Sequence, residues 1–189
     1  FFTMYANVDG FEYKEADLDY KERPDFDRWL LSELNDLVKN VQTYLDDFDP
    51  TPAGRLIQRF VIDFLSNWYI RLNKPRFWAG EMTADKLSAY QTLYTCLDTL
   101  SRLIALISPF YADQLFRDLN AVTGKDTSTS VHLTKFPTYT EAYIDSELNE
   151  AMQAAMDVTS MGLSIRKKVK IPVIQALQAT REACELLYS

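Results

Sequence analysis

The residues best suited to chemistry in this chain stand together in Ser66-Asn67-Trp68-Tyr69-Ile70-Arg71-Leu72-Asn73-Lys74-Pro75-Arg76-Phe77-Trp78, where basic side chains alternate with aromatic rings. Guanidinium and ammonium groups meet phosphates, and a tryptophan or arginine plane stacks on an unpaired base. Arg71, Lys74 and Arg76 are therefore candidate phosphate contacts, with Trp78 a candidate stacking surface. A plainer reading fits the same residues: Trp68 and Phe77 fill a core, and the cations complement the dipole of a helix C-terminus. A second basic cluster, Arg166-Lys167-Lys168 with Lys170, divides in the same way between a binding patch and a solvated helix end. Arg55 and Arg59, one helical turn apart, make a third and weaker candidate.

Other chemistry is thinly represented. His132 is the one histidine, and it stands in an irregular segment without an obvious partner for nucleophilic catalysis. Cys96 and Cys184 are far apart, with neither metal-ligand spacing nor a disulfide framework, and a reducing, cytoplasmic setting suits them. There is no Gly-rich phosphate loop and no dinucleotide fingerprint. Carboxylates such as Glu12, Glu15, Asp17, Asp19, Asp46 and Asp47 read as solvated, not as a catalytic pair. The pattern is that of a binding module. A net charge of −7 runs against a general grip on phosphates, so a nucleic-acid site here must be a local basic patch.

The elements that must position these residues are helical. With 47% hydrophobic and 25% charged residues in 189, the chain can bury one substantial core. Residues 1–24 mix aromatics and acids without a period and are expected to form an irregular connector. Phe26, Leu30, Leu34, Leu37, Val41 and Leu45 step by 4, 4, 3, 4 and 4, which predicts a long amphipathic helix opened by Pro24 and Asp25. Asp49-Pro50-Thr51-Pro52 stops it and caps the next, whose stripe is Ala53, Leu56, Ile57, Phe60, Phe64, Leu65, Trp68 and Leu72. Pro75 is expected to end that helix near Asn73. Thr83 is a predicted N-cap for a third helix through Ile107, and Ser108-Pro109 for a fourth. A polar loop over 123–130 and an irregular stretch over 131–144 precede a fifth helix from about Asp145 to Lys170. Pro172 is a candidate start for a further helix. No apolar run reaches the ~20 residues that span a bilayer. The expected fold is an all-α antiparallel helix bundle.

The segment 66–78 resembles the signature that closes a helix in the anticodon-binding domain of isoleucyl-tRNA synthetases, within the class I group. The resemblance extends to Arg23-Pro24-Asp25-Phe26-Asp27-Arg28-Trp29-Leu30-Leu31-Ser32-Glu33-Leu34-Asn35, to Gly80-Glu81-Met82, to Ala89-Tyr90-Gln91-Thr92-Leu93-Tyr94, to Ser108-Pro109-Phe110 and to Ser130-Val131-His132-Leu133. Valyl- and leucyl-type relatives share the fold but resemble residues 67–78 less well. Two departures stand out: Pro75 interrupts a run that is commonly basic, and Ile174-Gln175-Ala176 replaces an Arg-Gln-Pro-like sequence.

The resemblance implies a connector over 1–22 leading from a catalytic core that this chain lacks, a helical-bundle domain over 23–170, and a segment 171–189 of unassigned role. It implies an enzyme that loads isoleucine onto its tRNA; the cysteine usage makes a cytoplasmic setting the expectation, and a monomer is expected because nothing in the sequence argues for assembly. ATP and magnesium would be used in the missing catalytic domain, and this chain would carry no cofactor or catalytic residue of its own. The implied partners are isoleucine tRNA and the catalytic domain; no membrane is involved. Because the chain begins Phe1-Phe2-Thr3, it is expected to be a piece of a longer protein. The rival reading is a protein–protein interaction module, in which the aromatic residues of the first twenty dock on a partner.

Overall fold

A computed structural model describes residues 1–14 and 16–170, in which helices α1 (Phe2–Asp9), α2 (Asp25–Asp46), α3 (Pro50–Arg59), α4 (Arg71–Trp78), α5 (Ala84–Ile104), α6 (Pro109–Thr123) and α7 (Ser146–Val169) follow one another. A π-helical stretch, Phe60–Ile70, joins α3 to α4 without a break, and no strand occurs among the described residues. The expected all-α bundle is therefore what the chain forms. The described residues fall into two compact units, the first Phe1–Ser146 and the second beginning at Glu147.

In the first unit the boundaries follow from the caps. Thr83 Oγ1 accepts from the Lys86 amide at 3.2 Å, and the Asp49 carboxylate accepts from the Thr51 amide at 3.3 Å, so these two predicted caps form, whereas Ser108, the third, sits at the cap position of α6 without a side-chain cap hydrogen bond. Pro109 occupies the first position of α6, where its missing N–H costs nothing. The Asp27 carboxylate on the first turn of α2, the Ser88 hydroxyl on the first turns of α5 and the Arg76 guanidinium near the end of α4 meet at one end of the unit. At the other end, Gly54 at the start of α3 lies against the Ile107 side chain just beyond α5. Thus α2 and α5 run the same way and the α3–π–α4 helix runs back between them. Trp29, Leu30, Tyr69, Tyr90, Leu93 and Leu103 are among the fully enclosed core side chains.

Three expectations need correction. Residues 1–24 are not wholly irregular, because α1 buries Phe2 and Ala6 and ends at Gly10, whose left-handed φ of 63° suits a residue without Cβ. Eight residues are too few for a helix to stand alone. Phe2 meets Tyr90 and Tyr94 at ring-centroid separations of 6.2 and 6.0 Å, and this packing holds α1 in place.

Pro75 does not end its helix, since α4 carries it internally through Trp78. An internal proline costs about 3 kcal/mol. Burial of Phe77 to 1% exposure works against that cost. The third correction concerns register. Leu72 is exposed and Tyr69 and Asn73 are buried, so the inward row Phe60, Phe64, Tyr69 and Asn73 steps by 4, 5 and 4, as a helix wider than 3.6 residues per turn requires.

The second unit is described through α7, whose last turn carries Arg166, Lys167 and Lys168. The candidate helix start at Pro172 lies outside the described residues.

Candidate nucleic-acid interface

The end of the α3–π–α4 helix has two faces of opposite character. Asn67, Arg71, Lys74 and Trp78, at steps of 4, 3 and 4, are all exposed, and Trp78 is 60% exposed. Tyr69, Asn73 and Phe77 are buried on the other side. The periodicity of one helix therefore gathers two cations, an amide and an indole on a single solvent face.

Arg76 belongs to the inner side. Its Nη1 donates to Asp27 Oδ1 at 2.7 Å and Asn73 Oδ1 at 3.1 Å, its Nη2 to Asp27 Oδ2 at 2.9 Å and the Asp85 carbonyl at 2.7 Å, and its Nε to Asp85 Oδ2 at 2.9 Å. A guanidinium has five N–H donors, and all are used. Arg76 was expected to meet a phosphate; the geometry instead commits its whole donor set inside the chain. Burial opposes its charge, but the hydrogen bonds and charge of Asp27 outweigh that and hold Arg76 above its ordinary pKa.

Asp27 is 0% exposed and also accepts from Tyr69 Oη at 2.7 Å and Ser88 Oγ at 2.5 Å. Burial and the adjacent Asp27 charge push the Tyr69 phenol well above its usual range, so it stays a donor. One buried carboxylate thus ties together α2, the π-helical stretch, α4 and α5.

The carbonyl end of α4 has its own cation. Lys86, 1% exposed, donates from Nζ to the Ala79 carbonyl at 2.5 Å and pairs with Asp9 at 2.8 Å. The cation at the carbonyl end of this helix is therefore a buried ammonium from α5 and not one of the basic residues of segment 66–78. Trp78 Nε1 donates to Tyr5 Oη of α1, and Phe77 packs edge-on against Phe1 and Tyr90 at 5.2 and 5.1 Å. The aromatic residues of the first twenty thus largely turn onto the bundle, with Phe2 and Phe11 buried.

The profile of the family described as "Anticodon-binding domain of tRNA ligase" matches residues 27–181. The chain belongs to this family. An isoleucine–tRNA ligase of Bacteroides fragilis is 63% identical over 178 residues, which cover 94% of this chain and 16% of that protein. One from Dehalococcoides mccartyi is 49% identical over 96% of this chain and 18% of its own length, and one from Clostridium acetobutylicum is 40% identical over 99% and 18%. The chain spans 16 to 18% of the length of these relatives.

Elsewhere in this anticodon-binding domain, the second basic cluster closes α7 with Arg166 half-buried and Lys167, Lys168 and Lys170 exposed. Arg55 is exposed, and the Arg59 guanidinium lies over the Phe64 ring at 5.2 Å. His132 is exposed in a short 3₁₀ turn, Val131–Leu133. Cys96 is enclosed, and burial pushes its thiol far above the reactive range; Cys184 lies outside the described residues. Among the described residues no group of three or more His, Cys, Asp or Glu side chains is arranged to hold a metal, and no helix is long and apolar enough to cross a membrane. A cleft of about 460 Å³, lined by none of the exposed residues Asn67, Arg71, Lys74 and Trp78, has most of its charges paired within the chain, Arg102 with Asp98 and Asp126 and Lys125 with Asp17, while Arg23 donates to the Leu18 carbonyl and to Thr92.

Sequence reasoning missed Asp27 and Lys86. A signal for the first was present, because Asp27 stands three residues before Leu30 and four before Leu31, on the apolar side of α2. A charge at such a position needs a buried partner.

Proposed function

We propose that this anticodon-binding domain serves an isoleucine–tRNA ligase, gripping the stem and anticodon loop of isoleucine tRNA. A catalytic part elsewhere in the polypeptide then carries out aminoacylation with ATP and magnesium. The observation that carries the reading is the 63% identity to a protein of that name across nearly the whole chain. The same reading has the enzyme cytoplasmic and monomeric, with the catalytic part as the domain's intramolecular neighbour.

Within the reading, Arg71 and Lys74 meet phosphates and Trp78 offers a stacking face. Arg166, Lys167 and Lys168 form a second phosphate-binding patch. Arg76, assigned to a phosphate by the sequence alone, holds the helix that carries the others. A net charge of −7 makes few phosphate contacts and weak binding by this part in isolation the expected behaviour, with other parts of the enzyme adding avidity.

The test is binding of isoleucine tRNA to the full-length ligase over a range of salt, with a second tRNA as competitor. Replacing Arg71 and Lys74 together by alanine is expected to weaken binding and flatten the logarithmic salt slope by roughly two, one for each phosphate contact. An unchanged slope would remove the interface from this face of α4.

A further inference from the structure

We infer that Asp27 is a positioning residue of the tRNA interface, holding through Arg76 the helix end on which Arg71, Lys74 and Trp78 are presented. The inference rests on the tRNA-binding reading above and adds to it a residue that touches no nucleotide.

The C-terminal end of α4 is a weak point of its helix. It is the last stretch of the continuous α3–π–α4 helix, and Pro75 within it supplies no amide donor and crowds the preceding turn. The missing backbone bond at Pro75 weakens the final turn, so side-chain ties hold that end of the helix. Arg76 sits two residues from both Lys74 and Trp78, and its bidentate bond to Asp27 is the tie that reaches the first turn of α2. The Asp27 oxygens receive donors from Arg76, Tyr69 and Ser88, so the carboxylate is fixed from several directions. A planar fork held at both nitrogens cannot rotate without breaking two charge-assisted bonds. The exposed residues on the opposite face therefore inherit a fixed spacing from a group they never contact. Phosphate contacts depend on such placement, since they set register and orientation on the nucleic acid.

Replacing Asp27 by asparagine keeps its size and removes its charge, and one oxygen facing the guanidinium becomes an amide donor facing other donors. The Arg76 fork then keeps its bonds to Asp85 and Asn73 but loses its bidentate, charge-assisted tie to α2, and the end of α4 shifts while the core formed by Trp29, Tyr90 and Leu93 stays in place. Arg71 and Lys74 would keep their charges yet no longer meet phosphates together.

The experiment is a double-mutant cycle in the full-length ligase, read as the salt dependence of isoleucine tRNA binding. Asp27→Asn is crossed with the Arg71→Ala/Lys74→Ala pair. Asp27→Asn is expected to lower the logarithmic salt slope by roughly two, and the alanine pair is then expected to change nothing further in its background. A merely structural role would leave the slope of the folded fraction unchanged, or give additive losses, and either result overturns the inference. Should Asp27→Asn fail to fold, Arg76→Lys takes its place. That change keeps the charge but loses the fork, and the same loss of slope is expected; a wild-type slope in Arg76→Lys overturns the inference equally. Binding indifferent to the alanine pair in the wild-type background would overturn the interface itself, a result distinct from failure of Asp27 alone.

Discussion

Two carboxylates on α2, Asp27 and Glu33, are both drawn out of water, and they fare differently. Asp27 is fully enclosed and receives hydrogen bonds from Arg76, Tyr69 and Ser88. Glu33 is half-buried; burial and the like charge of Asp36 raise its pKa to about 7, against the opposing pull of the Trp29 indole N–H and of Arg59. The deeper carboxylate is the compensated one. Depth alone therefore does not decide whether a buried charge burdens the fold; the donors gathered around it do.

The largest effect should come from removing the compensated group. Asp27→Ala leaves Arg76 with donors that have lost their acceptor, and Tyr69 and Ser88 lose theirs too. Breaking a buried ion pair from one side costs about 3–5 kcal/mol. Arg76 keeps 16% of its side-chain exposure, so a value near the lower bound, about 3 kcal/mol, is expected by chemical denaturation of the full-length protein followed through this domain. A loss under about 1 kcal/mol, the size of an ordinary surface change, would erase the contrast between the two carboxylates.

A smaller effect of opposite sign is expected at Glu33. The folded chain holds this carboxyl protonated up to a pKa of about 7, whereas an unfolded chain ionises it near the ordinary 4.5. Between those values the folded state binds more protons, so the stability contributed here is complete below pH 4.5 and is lost as pH rises through about 7. Glu33→Gln removes that loss. It should raise stability at pH 8 on the order of 1 kcal/mol, allowing for partial solvent screening, and leave it unchanged near pH 4. The check is the melting temperature of variant and parent at both pH values. Equal gains at both would mean that packing and not charge is responsible.

The same contrast explains what the sequence disclosed. Helix spans were legible where apolar residues recurred at threes and fours and a polar cap preceded them, as at Thr83 and Asp49. The cluster 66–78 was legible as chemistry because its composition is rare. Which of its cations face water was not legible, because that depends on a register shift of about one residue in the π-helical stretch, which no local propensity announces. Leu72, expected inside, faces water, and Asn73 takes the inward position for that reason. Pro75 misled because its local cost is real but the burial of Phe77 and the ties of Arg76 lie elsewhere in the sequence. The helix α1 was hidden by its brevity, since two buried positions four apart make no period.

The last contrast sets Asp27's enclosed partner against cations that stay in solvent. Lys167 and Lys168 are exposed in the final turn of α7, where a positive charge gains only a fraction of a kilocalorie from the helix dipole at the surface. Replacing both by alanine should therefore change stability by no more than about 0.5 kcal/mol, because neither side chain is taken out of water. If the patch contacts tRNA, the same pair of changes flattens the salt slope of binding by roughly two while the melting temperature stays put. That combination separates a charge kept for a ligand from a charge kept for the fold. A stability loss as large as that of Asp27→Ala would give this cluster a structural role. An unchanged salt slope with unchanged stability would leave Arg71 and Lys74 as the cationic pair on which the interface depends.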